Sequence, residues 1–285
     1  MSVRPVEFAA RDGFKLGGTL YRPAQPNGGA VLVNAAVGVR QQFYSGFAAF
    51  LEERGFTVLT YDYRGIAASR HGHPRDLKAR IRDWAQLDAA AALDELARAA
   101  PGARLLAVGH SFGGNGLGLV PGNERYAGAL FVGVQSGYWR HWSGPGRTGM
   151  LLLTHLLLPG ICSVLGYVPA QVFGQGEDLP AGVAAEWASW CRNPRYAAGA
   201  VGDEGYTNFK APIRSYWIAD DRYAPRAATQ AILKEYSSAP SELVAVHPAQ
   251  HGGGRIGHFG FFRERFRDSL WREAAAWLEV RCGIT

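Results

Sequence analysis

Cysteine is scarce in this chain: Cys162, Cys191 and Cys282 are the only three, an odd number with no C-x-x-C spacing. That count excludes a disulfide-built scaffold and a cysteine zinc site, and no metal is expected. Long apolar runs are lacking too. The most apolar one, Leu151 to Leu158, falls well short of the ~20 residues a bilayer span needs. Met1 to Ala10 has no apolar core of a secretory signal. A cytoplasmic protein with no membrane span is therefore expected. There is no repeat, no low-complexity linker and no long block of one charge. Charged residues make up only 19%, although they leave a net charge of +6. The densest basic run, Arg64 to Arg82, has no interleaved aromatics, and Arg263 to Arg272 mixes its arginines with Glu264 and Asp268 as a solvated helix face does. No nucleic-acid partner is expected from such a pattern, and nothing in it sets an oligomeric state.

What the chain does have is apolar bulk, 47% of residues, enough to bury a sizeable core. It also has 37 glycines without a three-residue period, which means many tight turns and close backbone approaches. Val3 to Ala9 and Leu16 to Tyr21 are β-prone and flank Asp12-Gly13, a hairpin turn signal. A rhythm follows. Ala30 to Asn34, Phe56 to Tyr61, Arg104 to Gly109 and Leu130 to Val134 are short continuous apolar runs, suited to strands buried on both faces. Phe43 to Arg54 and Trp84 to Ala99 carry apolar residues at helical spacing between them. From about Gly137 to Phe209 the rhythm stops in a stretch rich in Trp, Pro and Gly. It resumes with Ile213 to Ile218, Glu242 to Val246 and a last helix from about Arg263 to Val280. Alternating strands and helices predict an α/β fold with a mostly parallel central sheet and helices on both faces. Residues 1–136 and 210–285 are expected to form its core. Residues 137–209 are expected to be a cap or lid inserted after the sixth strand.

One motif carries chemistry. Gly109-His110-Ser111-Phe112-Gly113 fits G-x-S-x-G and follows directly on a buried strand. A serine nucleophile on a sharp strand-to-helix turn needs small neighbours, because the turn is strained and crowded. The following Gly114, Gly116 and Gly118 predict a short or irregular helix. The base and the orienting acid should come later in the chain. Asp220-Asp221 ends the strand Ile213 to Ala219, where a carboxylate can face the crevice at the strands' carboxyl ends. Asp221 is preferred for its distance to Pro225, with Asp220 as the loop cap and alternative. His251 and His258 both precede the last helix. His258 is preferred, since Gly257 leaves its ring room, and His251 stays as the alternative. An oxyanion hole takes two backbone N–H donors. Phe112 should supply one, and the loop Asn34-Ala35-Ala36-Val37-Gly38 the other, through Ala36 with Val37 as its rival.

These residues together resemble the α/β-hydrolase superfamily over most of the chain outside the inserted segment. Asp62-Tyr63-Arg64-Gly65 with Ser69 is similar to the family's D-x-R-G-x-G-x-S segment, with Ala67 where glycine is usual. Ile256-Gly257-His258-Phe259-Gly260-Phe261-Phe262-Arg263 resembles a signature of a bacterial subgroup of predicted hydrolases. There the histidine of G-H-x-G-F-F is taken as the base, which favours His258. Many relatives carry His-Gly where this chain has Asn34-Ala35. The resemblance implies an α/β-hydrolase fold and serine-hydrolase chemistry: Ser111, Asp221 and His258 as the triad, with no cofactor. The expected reaction is cleavage of a small apolar ester through an acyl-enzyme. Acyl transfer and thioester or amide cleavage use the same machinery, and a ligand-binding protein on the same scaffold is the remaining alternative. Val37, Tyr138, Trp139, Trp142 and Trp187 are the candidates for lining the substrate pocket.

Overall fold

In the computed structural model, whose described residues are 2–173 and 176–283, the chain opens with the hairpin its Asp12-Gly13 turn predicts. Strand β1 (Ser2–Ala9) pairs antiparallel with β2 (Lys15–Arg22). Every residue of β3 (Gly29–Asn34) and β4 (Thr57–Tyr61) is buried, as their unbroken apolar runs require of strands covered on both faces. The helix Ser45–Glu53 connects them. A helical run from Ile81 to Ala99 leads to β5 (Arg104–His110), and β6 (Tyr126–Val132) follows. Two strands of two residues each, β7 (Tyr167–Val168) and β8 (Leu179–Pro180), pair only with one another. The chain then returns to the sheet as β9 (Ile213–Ile218) and β10 (Ser241–Val246). The sheet has eight strands in the order β1-β2-β4-β3-β5-β6-β9-β10, parallel from β4 onward and flanked by helices. It is an α/β-hydrolase fold.

The parallel register sets up the site. Asn34 lies opposite Gly109, His110 opposite Val132, and Val132 opposite Tyr216. The carboxyl ends of β3, β5, β6 and β9 are thus level, and the loops leaving them meet at one edge, where α/β sheets bind their ligands. The strand expected at Leu130 to Val134 starts earlier and ends at Val132, because Gly133 turns out of the sheet with φ of +57°.

The segment between β6 and β9 divides in two. Val183, Trp190, Tyr196, Tyr206 and Phe209 belong to the main hydrophobic core. Cys162, Val168, Ala170 and Ala184 make a small cluster of their own. The apolar run at Leu151 to Leu158 is longer in space than it reads. It is the middle of one continuous helix, Gly144–Leu165, 22 residues long and apolar enough to cross a membrane by length and composition. Pro159 suggests a break. Its ring denies the preceding turn a hydrogen bond and crowds the carbonyl there. A π-helical turn over Leu153–Leu157 widens the helix just before it and absorbs the conflict.

The D-x-R-G resemblance marks a brace. Asp62 accepts hydrogen bonds from Gln41 N (2.8 Å), Gln41 Nε2 (2.9 Å) and Ala68 N (3.2 Å). Ser69 Oγ donates to Asp62 O and accepts from Gly17 N, locking the hairpin to the loop after β4. Arg64 is buried between Asp88 (Nε to Oδ1, 2.8 Å) and Asp12 (Nη1 to Oδ2, 2.7 Å). Much of the basic run Arg64 to Arg82 is similarly spent within the fold, Arg70 on Glu177 and Arg82 on Glu186.

Candidate active site

Ser111 sits on a sharp turn between β5 and a short helix, Phe112–Asn115, that relaxes into a 3-10 turn at Gly116–Leu119. Its φ of +52° is a left-handed conformation that non-glycine residues avoid. The surrounding glycines make this turn possible. A Cβ on Gly113 would lie 2.0 Å from Asn34 O, and one on Gly109 would lie 2.5 Å from Gly114 Cα. Such overlaps leave no side chain but hydrogen at either position. The strain is held by Ser111 N–H donating to Val132 O (3.1 Å) and by Gly114 and Asn115 N–H donating to Ser111 O. A residue kept in so costly a conformation is a common mark of a functional position.

Asp221 and His258 meet beside the same strand end. His258 Nδ1 donates to Asp221 Oδ2 at 2.7 Å, and Asp221 Oδ1 accepts from Tyr223 N (2.8 Å) and Ala224 N (3.2 Å). With Nδ1 committed as donor, His258 presents Nε2 as the unprotonated nitrogen. A Cβ on Gly133 would lie 3.1 Å from His258 Nδ1 and 3.3 Å from Asp221 Oδ2, so only glycine lets the ring come this close to β6. Asp220 faces elsewhere. Its carboxylate accepts from Ile256 N (3.0 Å) and Gly257 N (2.9 Å) and ties down the loop that delivers His258. His251 ends a 3-10 turn, Pro248–His251, and among the described residues makes no hydrogen bond to Ser111, Asp221 or His258. Ser111, Asp221 and His258 are all buried, at 8%, 6% and 6% exposure. Ser111 Oγ makes loose contacts of 3.4–3.5 Å with Gln135 and, among the described residues, no hydrogen bond to His258. Catalytic bonds that tighten only around a substrate have this appearance. A cleft of about 450 Å³ beside the acid loop is lined by Ala219, Asp220, Asp221, Arg222 and Arg255, not by Ser111.

The two candidate amide donors for the loop after β3 differ. Ala36 N–H donates to the buried Tyr44 hydroxyl at 2.9 Å. Val37 N–H, like Phe112 N–H at the first position of its helix, has no hydrogen-bond partner among the described residues. Ala36 is therefore occupied because Tyr44, on the next helical turn, reaches back under the loop.

That tyrosine belongs to a chain the sequence did not reveal. The Tyr44 hydroxyl lies 2.8 Å from His110 Nδ1, and His110 Nε2 lies 2.9 Å from His258 O. Since Tyr44 accepts from Ala36, its own proton goes to His110 Nδ1, and His110 Nε2–H donates to the His258 carbonyl. His110, the residue before the serine in the G-x-S-x-G motif, thus links the β3 loop to the backbone of His258. His110 is wholly enclosed, and burial holds its pKa well below the usual histidine value, with the neighbouring His258 adding to the effect. Gln135 likewise carries no sequence signal: it follows β6 as an ordinary polar residue, with no distinctive spacing.

The pocket candidates are spread out. Tyr138, Trp139, Trp142 and Trp187 are half-buried. Trp142 Nε1 donates to Arg222 O, next to Asp221. Trp139 N donates to Cys191 O, and Trp187 packs on the main core. Among the described residues, none of the four hydrogen-bonds to Ser111.

A model of the alpha/beta hydrolase family matches residues 30–269, and the chain belongs to that family. No curated protein matches. Among solved structures, a soluble variant of monoglyceride lipase from Saccharomyces cerevisiae, in complex with a substrate analogue, is similar in fold. Its TM-score is 0.72 at 16% identity, covering 99% of this chain and 97% of that one. A thermostable carboxyl esterase from Bacillus coagulans gives a TM-score of 0.64 at 13% identity, with 99% of each chain covered. An esterase from Pyrococcus furiosus gives 0.64 at 16%, covering 99% and 92%.

Proposed function

We propose that the protein is a serine hydrolase that cleaves a carboxylic ester. His258 Nε2 takes the proton of Ser111 as Oγ attacks the carbonyl, and Asp221 holds the imidazole tautomer and stabilises the imidazolium. The alkoxide leaves with the proton from His258, and water, activated by the same nitrogen, releases the acid from Ser111. Phe112 N–H is the first oxyanion donor. Val37 replaces Ala36 as the second, because the Ala36 amide already serves Tyr44. The observation that carries this reading is the strained Ser111, with φ of +52°, at the same strand end as the His258–Asp221 pair at 2.7 Å.

Residues 137–209 are the cap in this reading, with Tyr138, Trp139, Trp142 and Trp187 giving the substrate side an apolar character. The cytoplasm is the compartment, and its reducing conditions suit three unpaired thiols. Activity on p-nitrophenyl esters of graded chain length, with one charged member, tests the reading. A burst of nitrophenol equal to the enzyme concentration is expected, with apolar chains preferred. Adding alcohol or amine acceptors separates hydrolysis from acyl transfer: product carrying the acceptor, in place of free acid, would favour a transferase. No turnover on any ester would refute the assignment.

A further inference from the structure

The helix Gly144–Leu165 is only 17% buried over its most apolar stretch, although the mean hydropathy there is 1.8. Leu152, Leu156, Leu157 and Val164 are exposed by 47%, 65%, 51% and 81%. Leu152 and Leu156 are four apart and Leu157 and Val164 seven, so they share the helix's outer side. Burying each leucine contributes about 1.5–3 kcal/mol, and a monomer in water forgoes it here.

The charges around this face are one-sided. From Gly137 to Gly176 the chain has no Asp or Glu, whereas its average of 24 acidic residues in 285 would place about three there. Arg140 and Arg147 stand exposed before and within the first turn, and exposed Arg75 covers the other end, donating to Leu165 O at 2.8 Å. None of the three pairs with a carboxylate among the described residues. Arg140 lies 5.0 Å over Trp139, Arg147 binds Trp142 O, and Arg75 lies 5.7 Å from the Tyr167 ring.

We propose that this cap helix is a docking surface for an anionic lipid membrane, lying in the plane of the interface. An apolar face flanked by cations and free of acids is what such a surface selects. The helix does not span. Its inner side is fixed in the cap, where Thr154 and Cys162 are buried and Arg192 donates to Thr154 O. A second copy of the chain is the poorer partner, because a two-fold contact through this face would bring the same cations together. The helix begins just after the segment that carries Trp142 to the acid loop, so docking would set the cap of the catalytic site on the lipid surface.

The test is flotation of the full chain with vesicles of phosphatidylcholine and phosphatidylglycerol in about equal parts, and with phosphatidylcholine alone. Binding to the mixed vesicles is expected, weaker on the neutral ones and falling as salt rises. Arg140→Gln with Arg147→Gln should weaken it by about fivefold per charge. Leu156→Glu with Leu157→Glu should weaken it by at least ~100-fold, while turnover of a soluble short-chain ester persists. No flotation of the wild-type chain, or flotation unchanged by the leucine variant, overturns the proposal. So does a wild-type dimer in sedimentation that the leucine variant dissolves without any vesicle binding. Flotation is read without turnover, so a failure of the esterase reading would be seen separately.

Discussion

His110 makes acid stability a direct probe of the site's scaffold. It is enclosed and neutral between Tyr44 and the His258 carbonyl, with a pKa held well below 6.5. In the unfolded chain the same ring titrates at about 6.5. Below that pH the unfolded state binds a proton that the folded state refuses, so stability is full above 6.5 and is lost as pH falls. If the ring stays neutral down to pH 5, lowering the pH from 7 to 5 removes about 2 kcal/mol through this residue alone. His110→Asn deletes that term. An asparagine oxygen can still accept from Tyr44, but the His258 carbonyl loses its donor, at a cost of about 1–3 kcal/mol. The variant should therefore be less stable at pH 7, and the gap to wild type should close by about 2 kcal/mol at pH 5. Urea unfolding at pH 7, 6 and 5, followed by tryptophan fluorescence, measures both. His141, whose pKa burial also lowers, is present in both proteins and drops out of the difference. A gap that stays constant with pH would refute the buried neutral histidine and the proton order assigned to the Tyr44–His110–His258 chain.

Gly133→Ala should lower kcat by about 100-fold with modest change in KM, because the added Cβ displaces His258 and Asp221, and a shift near 1 Å costs that much; steady-state kinetics decide. Ala67 has φ of +34°, so Ala67→Gly should stabilise the protein by about 1 kcal/mol, seen as a higher urea midpoint at unchanged slope. Asp221→Asn should cut turnover by about 10⁴ by favouring the wrong tautomer. Asp220→Asn, which only loosens the loop held through Ile256 and Gly257, should cost far less, and the reverse order would exchange their roles.

The fold was legible because its signals are local. Unbroken apolar runs such as Ala30 to Asn34 and Phe56 to Tyr61 admit few structures other than buried parallel strands, and Gly109 and Gly113 announce the crowded turn around Ser111. The pairing of Asp221 with His258 was legible through chain order, the strand end before Pro225, Gly257 and the resemblance around His258, which together put both at one sheet edge. What the sequence hid depends on distant partners. Ala36 reads as a free amide until Tyr44 folds back on it. His110 reads as the filler of a motif until its second nitrogen finds His258 O. The helix Gly144–Leu165 was obscured by Pro159 and its glycines, since a π-turn that rescues a proline leaves no mark in hydropathy.

Labelling with a fluorophosphonate probe reads whether Ser111 is an activated nucleophile without knowledge of the substrate. One adduct per chain is expected by intact mass, mapped to the peptide holding Ser111, with no adduct on Ser111→Ala and a rate on His258→Ala lower by about 10⁴ or more. Labelling that persists on Ser111→Ala, or a folded wild-type protein that takes no label, would contradict that role for Ser111.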